Sequence, residues 1–349
     1  VPTFVRALLF ALLVSIAVTP IIGWLALKTG ALVRPVSRSI HSRPVPHMGG
    51  LAIFMAFVAS ALLWGRAPVP ETWGVLLGGL AMVLLGTIDD FKTLSPRLKL
   101  FGQVVIAVLV VLYFDLRISF VTNPLTGGYI LLGAWGIPLT VLWMVAMVNV
   151  MNLVDGLDGL AAGISTIASL TLLMVAFKAG QAHVMILAAA LAGSTLGFLP
   201  YNFNPAKIFM GDSGAMFLGF TLAAVAVEGT LKSAATLALA VPVLTLGLPI
   251  FDTAFAIVRR VANGRSISEA DRGHLHHRLL ERGLTQRRAC LVMYSISACL
   301  SGSALLLISN PQAAVGALPV VFIALYLVGM RAGLLGLRDD KDKHRCEGR

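Results

Sequence analysis

Apolar runs of bilayer length recur along this chain from one end to the other, and that repetition limits its fold more than any single motif. A helix spans a bilayer with about 17 to 25 residues. About eleven such runs are present, at roughly 4–26, 47–65, 71–88, 98–115, 135–151, 157–177, 181–199, 210–228, 233–257, 289–309 and 312–332. Only 12% of the 349 residues are charged and 58% are hydrophobic, against about 25% charged in soluble domains. In hydrocarbon the backbone must satisfy its own hydrogen bonds, so runs of this kind read as helices. The expected fold is an all-α polytopic membrane protein with about eleven transmembrane helices. It forms a single domain over 1–349, without tandem repeats or a low-complexity linker. The first run exceeds a signal-peptide core of about 7 to 15 residues and lacks a small-x-small cleavage site, so it reads as a retained helix. Cys290, Cys299 and Cys346 form no CxxC pair, which argues against a structural disulfide or a zinc site.

Basic residues orient the bundle, because cytoplasmic loops of membrane proteins are enriched in Lys and Arg. Eleven spans with the amino terminus outside and the carboxyl terminus in the cytoplasm put 22 of the 27 Lys and Arg inside. The outer five are Arg6, Arg66, Arg117, Lys178 and Lys232. The inner set is concentrated in a cytoplasmic loop over 258–288 and a basic tail over 333–349. A net charge of +11 is then accounted for by anionic lipid headgroups, without nucleic acid. A small β-hairpin is expected on the outer face near 118–132, around the turn-rich stretch 123–128.

The ionisable residues that topology does not explain all fall on the inner face. Asp89 and Asp90 end the third run, where two adjacent carboxylates beside hydrocarbon persist most easily next to a cation. The stretch NLVDGLDG at 152–159 packs two acids and two glycines into one loop. Its oxygens suit a hard cation or ribose and base hydrogen bonds, and glycine lets the backbone approach a ligand. The segment FMGDSG at 209–214 opens the eighth run. Asp212 there reads equally as a helix N-cap or as a metal ligand beside a helix end that attracts phosphate. Asp252 lies about one turn inside the ninth run. In the loop that follows, His274, His276, His277 and Arg278, with Arg272 just before, lack the partners of a tetrahedral zinc set and suit phosphate and sugar. Arg34, Arg38, His41 and Arg43 read either as site residues or as topology signals alone.

In order along the chain, PVPHMGG at 44–50, DD at 89–90, NLVDGLDGLAAG at 152–163, NFNPAKIFMGDSG at 202–214 and RGHLHHRLL at 272–280 resemble the polyprenyl-phosphate N-acetylhexosamine-1-phosphate transferase family. The resemblance covers nearly the whole chain. HLHHR is similar to the bacterial WecA/TagO type rather than to the MraY type, which carries three consecutive histidines. The resemblance implies transfer of N-acetylglucosamine-1-phosphate from UDP-N-acetylglucosamine to undecaprenyl phosphate, with release of UMP, at the cytoplasmic face of the bacterial inner membrane. It also implies Mg²⁺, with Mn²⁺ as the alternative. Carried over by position, Asp212 matches the metal-binding aspartate, with Asp155 a second candidate ligand. Gly156, Leu157, Asp158 and Phe209 match a uridine pocket, and Asn152, Asp155 and Asn202 match polar residues of the same cleft. Asp89 and Asp90 match the acidic pair, Lys99 the lysine after it, and Arg43 a position where the MraY type has lysine. Asp252 is expected behind the site rather than in it.

Three alternatives accompany this reading: another UDP-N-acetylhexosamine or UDP-MurNAc-pentapeptide as donor, a transporter, and a non-catalytic scaffold. A transporter would carry ionisable residues near the bilayer midplane, whereas here they gather at helix ends. The sequence leaves monomer and homodimer as open alternatives.

Overall fold

The computed structural model describes residues 1–33, 44–65, 69–122, 129–231, 240–262 and 274–309. Its helices are α1 (Thr3–Thr29), α2 (Gly49–Trp64), α3 (Pro70–Lys92), α4 (Pro96–Phe114), α5 (Gly136–Val154), α6 (Leu160–Lys178), α7 (Ala182–Asn202), α8 (Gly211–Ala226), α9 (Ala240–Thr245), α10 (Gly247–Ala262), α11 (Leu275–Glu281) and α12 (Gln286–Ser309). Among the described residues, seven helices are long and apolar enough to cross a membrane: α1, α3, α4, α5, α6, α7 and α12. α2 is apolar but has only 16 residues. The protein is thus a mostly helical, multi-pass membrane protein.

Two expected features take a different form, and a third feature is new. The run 233–257 is not continuous, because α9 stops at Thr245 and α10 starts at Gly247. Pro249 has no N–H to return to the Thr245 carbonyl, so the helix breaks there. The eighth run ends in a π turn over Val227–Leu231. A two-stranded ribbon, β1 (Leu32–Val33) with β2 (Val45–Pro46), was not anticipated. The hairpin near 118–132 is present as β3 (Phe120–Thr122) antiparallel to β4 (Tyr129–Leu131), with Val121 opposite Ile130. The run 312–332, the tail 333–349, Arg43 and Arg272 lie outside the described residues.

Exposure sorts the helices into a rim and a core. Leu9, Leu13, Trp24, Leu84, Phe101 and Leu112 on α1, α3 and α4 are exposed, as lipid-facing side chains would be. By contrast, every residue of α8 from Ser213 to Ala226 is buried. α8 packs against α3, α5 and α2, and α7 against α1 and α6. Lipid gives apolar helices little reason to prefer one another, so close packing and polar contacts between helices must supply the association. Small residues provide the first: Ala7, Ala11, Ala188, Ala189 and Ala190 are fully buried. Hydroxyls and amides provide the second. Ser60 donates to the Ala7 carbonyl at 2.7 Å, Ser15 to Ser194 at 2.7 Å, Thr166 to Thr195 at 2.8 Å and the Trp143 indole to Ala223 at 3.2 Å.

Two glycines set how α8 is gripped. A Cβ on Gly86 of α3 would lie 2.5 Å from the Ser213 Cα, and one on Gly50 of α2 would lie 2.2 Å from the Gly214 nitrogen. Neither position can carry a side chain without moving backbone. The first turn of α8 is therefore held between α2 and α3 by main-chain contact.

Candidate active site

That grip brings four of the five motifs to one end of the bundle. Pro46 accepts the Phe209 N–H at 2.8 Å, and the Gly49 and Gly50 N–H groups donate to Phe209 and Met210 at 2.9 and 2.8 Å. PVPHMGG and FMGDSG are thereby laced together through their backbones. From α3, Asp90 accepts the Asp212 N–H on Oδ1 at 2.8 Å and the Ser213 N–H on Oδ2 at 3.2 Å. Helix starts leave such N–H groups unpaired, and a carboxylate there also meets the positive end of the helix dipole. The cap of α8 is thus supplied by another helix. Asp212, read from sequence as either cap or ligand, is not the cap.

Asp212 points its carboxylate at other partners. Lys99 Nζ donates to Asp212 Oδ2 at 2.8 Å, and Asn152 donates to Oδ1 at 2.6 Å. The same ammonium meets Asp89 Oδ2 at 2.8 Å, and Asp89 Oδ1 accepts the Leu94 N–H at 2.6 Å. Asp89 is buried and stands behind the lysine. One ammonium therefore holds two carboxylates, one buried in the bundle and one facing the site.

A cleft of about 450 Å³ opens in front of this triad. Asp90, Asn152, Asp155, Gly156, Leu157, Asp158, Asn202, Phe209 and Asp212 all line it. Asn202 serves mainly to hold its walls: its oxygen accepts the Gly159 N–H at 3.1 Å and its amide donates to Ile208 at 3.0 Å. Asp158 Oδ2 accepts from Asn204 at 3.0 Å and from the Ala206 N–H at 3.1 Å. Asp155 differs, because among the described residues only charge reaches it. Burial, then the carboxylates of Asp212, Asp90 and Asp158, push its carboxyl well above the usual range. Such a cluster calls for positive charge. Among the described residues no three acids or histidines form a metal shell by themselves. Mg²⁺ commonly takes one or two carboxylates and completes its shell with phosphate and water. Asp212 and Asp155 both line the cleft and supply carboxylate oxygens of that kind.

The histidine motif forms a flank. Asp252 caps α11: Oδ1 accepts the Leu275 N–H at 2.8 Å, and Oδ2 lies 3.1 Å from His274 Nδ1. Asp252, expected behind the site, thus contacts the histidine motif and does not line the cleft. His276 is buried against Gly156, where an added Cβ would come within 2.7 Å of its Nε2. His277 packs on His276 with ring centres 4.3 Å apart, and the Arg278 guanidinium lies 6.0 Å from the Phe255 ring centre. None of these four basic side chains lines the cleft itself. His47 and Gln286 do line it, and sequence reasoning passed over both. The motif PVPHMGG was a signal for His47, whereas Gln286 had none.

Burial, reinforced by His277, lowers the His276 pKa to about 4. A histidine lowered from about 6.5 favours the native state while neutral. That contribution is complete above pH about 6.5 and is lost as pH falls toward 4. Protection of the 274–281 backbone against hydrogen exchange should therefore drop across that interval, and His276→Gln should flatten the profile. An unchanged profile in the variant would place the effect elsewhere.

Comparison with known proteins gives the family. The glycosyl transferase family 4 profile matches residues 72–230, which hold the acidic pair, the DGLDG loop and Asp212. A probable undecaprenyl-phosphate N-acetylglucosaminyl 1-phosphate transferase of Bacillus subtilis is 39% identical over 97% of this chain and 94% of its own length. The chain belongs to the polyprenyl-phosphate N-acetylhexosamine-1-phosphate transferase family. Within that family it is also similar to a decaprenyl-phosphate N-acetylglucosaminephosphotransferase of Mycobacterium tuberculosis, 36% identical over 93% of this chain and 89% of the relative. An undecaprenyl-phosphate alpha-N-acetylglucosaminyl 1-phosphate transferase of Thermotoga maritima is 33% identical over 82% and 84%.

Proposed function

We propose that this phosphoglycosyl transferase moves N-acetylglucosamine-1-phosphate from UDP-N-acetylglucosamine to undecaprenyl phosphate and releases UMP. The observation that carries the reading is the Asp89–Lys99–Asp212 bridge at the edge of a cleft lined by Asp155, Asp158 and Phe209. An oxygen of the lipid phosphate attacks the phosphorus that bears the sugar. The bond from that phosphorus to the bridging oxygen breaks, and UMP leaves with the electron pair. Both reactants are anions, so charge is the main obstacle. A divalent cation held by Asp212 and Asp155, Mg²⁺ or alternatively Mn²⁺, supplies positive charge to the pyrophosphate when bound. Lys99 adds a fixed ammonium, and Asn152 fixes the Asp212 carboxylate that both depend on. The attacking phosphate has a second pKa near about 6 and arrives largely deprotonated. Asp90, with both oxygens engaged by α8, acts in this reading as a positioning residue rather than a base. Gly156, Leu157, Asp158 and Phe209 enclose the nucleoside. Arg43, Arg272, His274, His276, His277 and Arg278 are the residues assigned in this reading to the lipid phosphate and sugar.

The bundle has eleven spans in this reading, with the amino terminus outside and the cleft facing the cytoplasm across the bacterial inner membrane. The soluble donor then reaches the cleft from water, while the acceptor presents its headgroup from the lipid. The test is UMP release by purified protein given undecaprenyl phosphate, Mg²⁺ and a panel of UDP-sugars. Release with UDP-N-acetylglucosamine that disappears on chelation is expected. Release with a different UDP-N-acetylhexosamine alone would correct the donor, and silence with every donor would overturn the reading.

A further inference from the structure

The cleft wall contains a neutral amide beside Asp158 that the reaction chemistry above does not use. Gln286 begins α12, is 8% exposed and lines the cleft beside Asp158. Its orientation follows from its neighbours. The Asp158 carboxylate only accepts, so Asn204 must turn its N–H₂ toward it, at 3.0 Å. The second hydrogen of the same Asn204 nitrogen goes to Gln286 Oε1. The Gln286 oxygen is thereby committed to Asn204, and its N–H₂ is the end that remains for the cleft. Among the described residues no acceptor takes those hydrogens. Arg287 steadies the arrangement by donating to the Asn204 carbonyl at 2.7 Å.

We infer that Gln286 is a donor-recognition residue whose amide N–H₂ hydrogen-bonds a neutral carbonyl oxygen of the nucleotide-sugar. The inference rests on the function proposed above. The Asp158 carboxylate and the Arg287 guanidinium both lie one amide away through Asn204, so no net charge at this spot favours a phosphate, and a neutral carbonyl is the matched partner for an amide N–H₂. UDP-N-acetylglucosamine carries neutral carbonyls on uracil and on the acetamido group, and the shared chemistry admits both. A bond made equally in bound substrate and transition state changes KM and leaves kcat alone.

The experiment measures steady-state UMP release by the full-length protein in undecaprenyl phosphate micelles, for wild type, Gln286→Met and Gln286→Glu. Methionine removes the donor at similar volume. Glutamate still accepts from Asn204 but offers an acceptor to the cleft, so it preserves the wall. Both variants are expected to raise KM for UDP-N-acetylglucosamine about fivefold to tenfold, with kcat within about twofold. Inhibition by UMP weakened by the same factor identifies the uracil carbonyl. Unchanged UMP inhibition, with unchanged KM for UDP-glucose where that donor turns over, identifies the acetamido carbonyl. An unchanged KM for UDP-N-acetylglucosamine, or a loss confined to kcat and thermal stability, overturns the inference. A silent wild type would instead remove the functional reading on which it rests.

Discussion

Asp212→Asn is expected to lower UMP release by about 10²- to 10³-fold while leaving the fold in place. Removing one preorganised electrostatic contact to a developing charge costs about this much in other enzymes. The variant keeps one oxygen, which can still accept from Lys99, 2.8 Å from the native Oδ2; its new N–H₂ takes the place of Oδ1, where Asn152 now donates at 2.6 Å and would turn its own amide to accept. Backbone capping of α8 comes from Asp90 and is untouched. What disappears is one negative charge at the mouth of the cleft, and with it a hard oxygen ligand. Single-turnover release, read beside the thermal unfolding midpoint in detergent, separates the two effects. Activity within tenfold of wild type would remove Asp212 from the centre of the mechanism. An equal loss of stability would make it a structural residue.

The second large effect belongs to Lys99. Lys99→Met strips the cation from two carboxylates at once, both 2.8 Å away. Asp89, which is buried, then keeps its hydrogen bond from Leu94 and its contact with Asp212 but loses its cation. Breaking a buried ion pair from one side costs about 3–5 kcal/mol, because the remaining charge has nowhere to go. A marked drop in thermal midpoint is expected, together with loss of turnover. Adding Asp89→Asn should restore most of the stability, since the stranded charge is gone, but none of the activity, since Asp212 still lacks its ammonium. A double variant no more stable than Lys99→Met would contradict the bridge. A double variant that regains activity would assign Lys99 a purely structural task.

These two residues also mark what the sequence offered and where it stopped. Asp212 stood out as an acid opening an apolar helix, which reads equally as cap or ligand, and only the family resemblance singled it out as the metal-binding aspartate. The multi-pass helical character was legible because hydropathy is averaged over a whole segment; of the eleven runs, seven helices of spanning length stand among the described residues. Lys99, one basic residue in an inner segment already rich in them, stood out only through family resemblance. Asp90 was recognised as unusual, but its work, capping a helix 122 positions along the chain, exists only once α3 and α8 cross. Gln286 and Asn204 are neutral, lie in basic or turn-rich stretches and follow no period. Their significance comes from hydrogen-bond direction, which only the assembled structure supplies. The break between α9 and α10 could have been anticipated from Pro249 within a run otherwise apolar enough to span.

The complete enclosure of α8 has a consequence for how the enzyme lives in different membranes. The 16 residues of α8 are about 24 Å long, and the π turn over Val227–Leu231 carries the helical segment on toward the hydrocarbon thickness of about 30 Å. For a lipid-facing helix any remaining mismatch would force tilting or local thinning of the bilayer. α8 meets protein on every side, so its length is matched to its neighbours instead. Thicker or thinner membranes act on the rim helices α1, α3 and α4, whose apolar side chains face outward. Asp212 rides on a helix that the lipid does not touch.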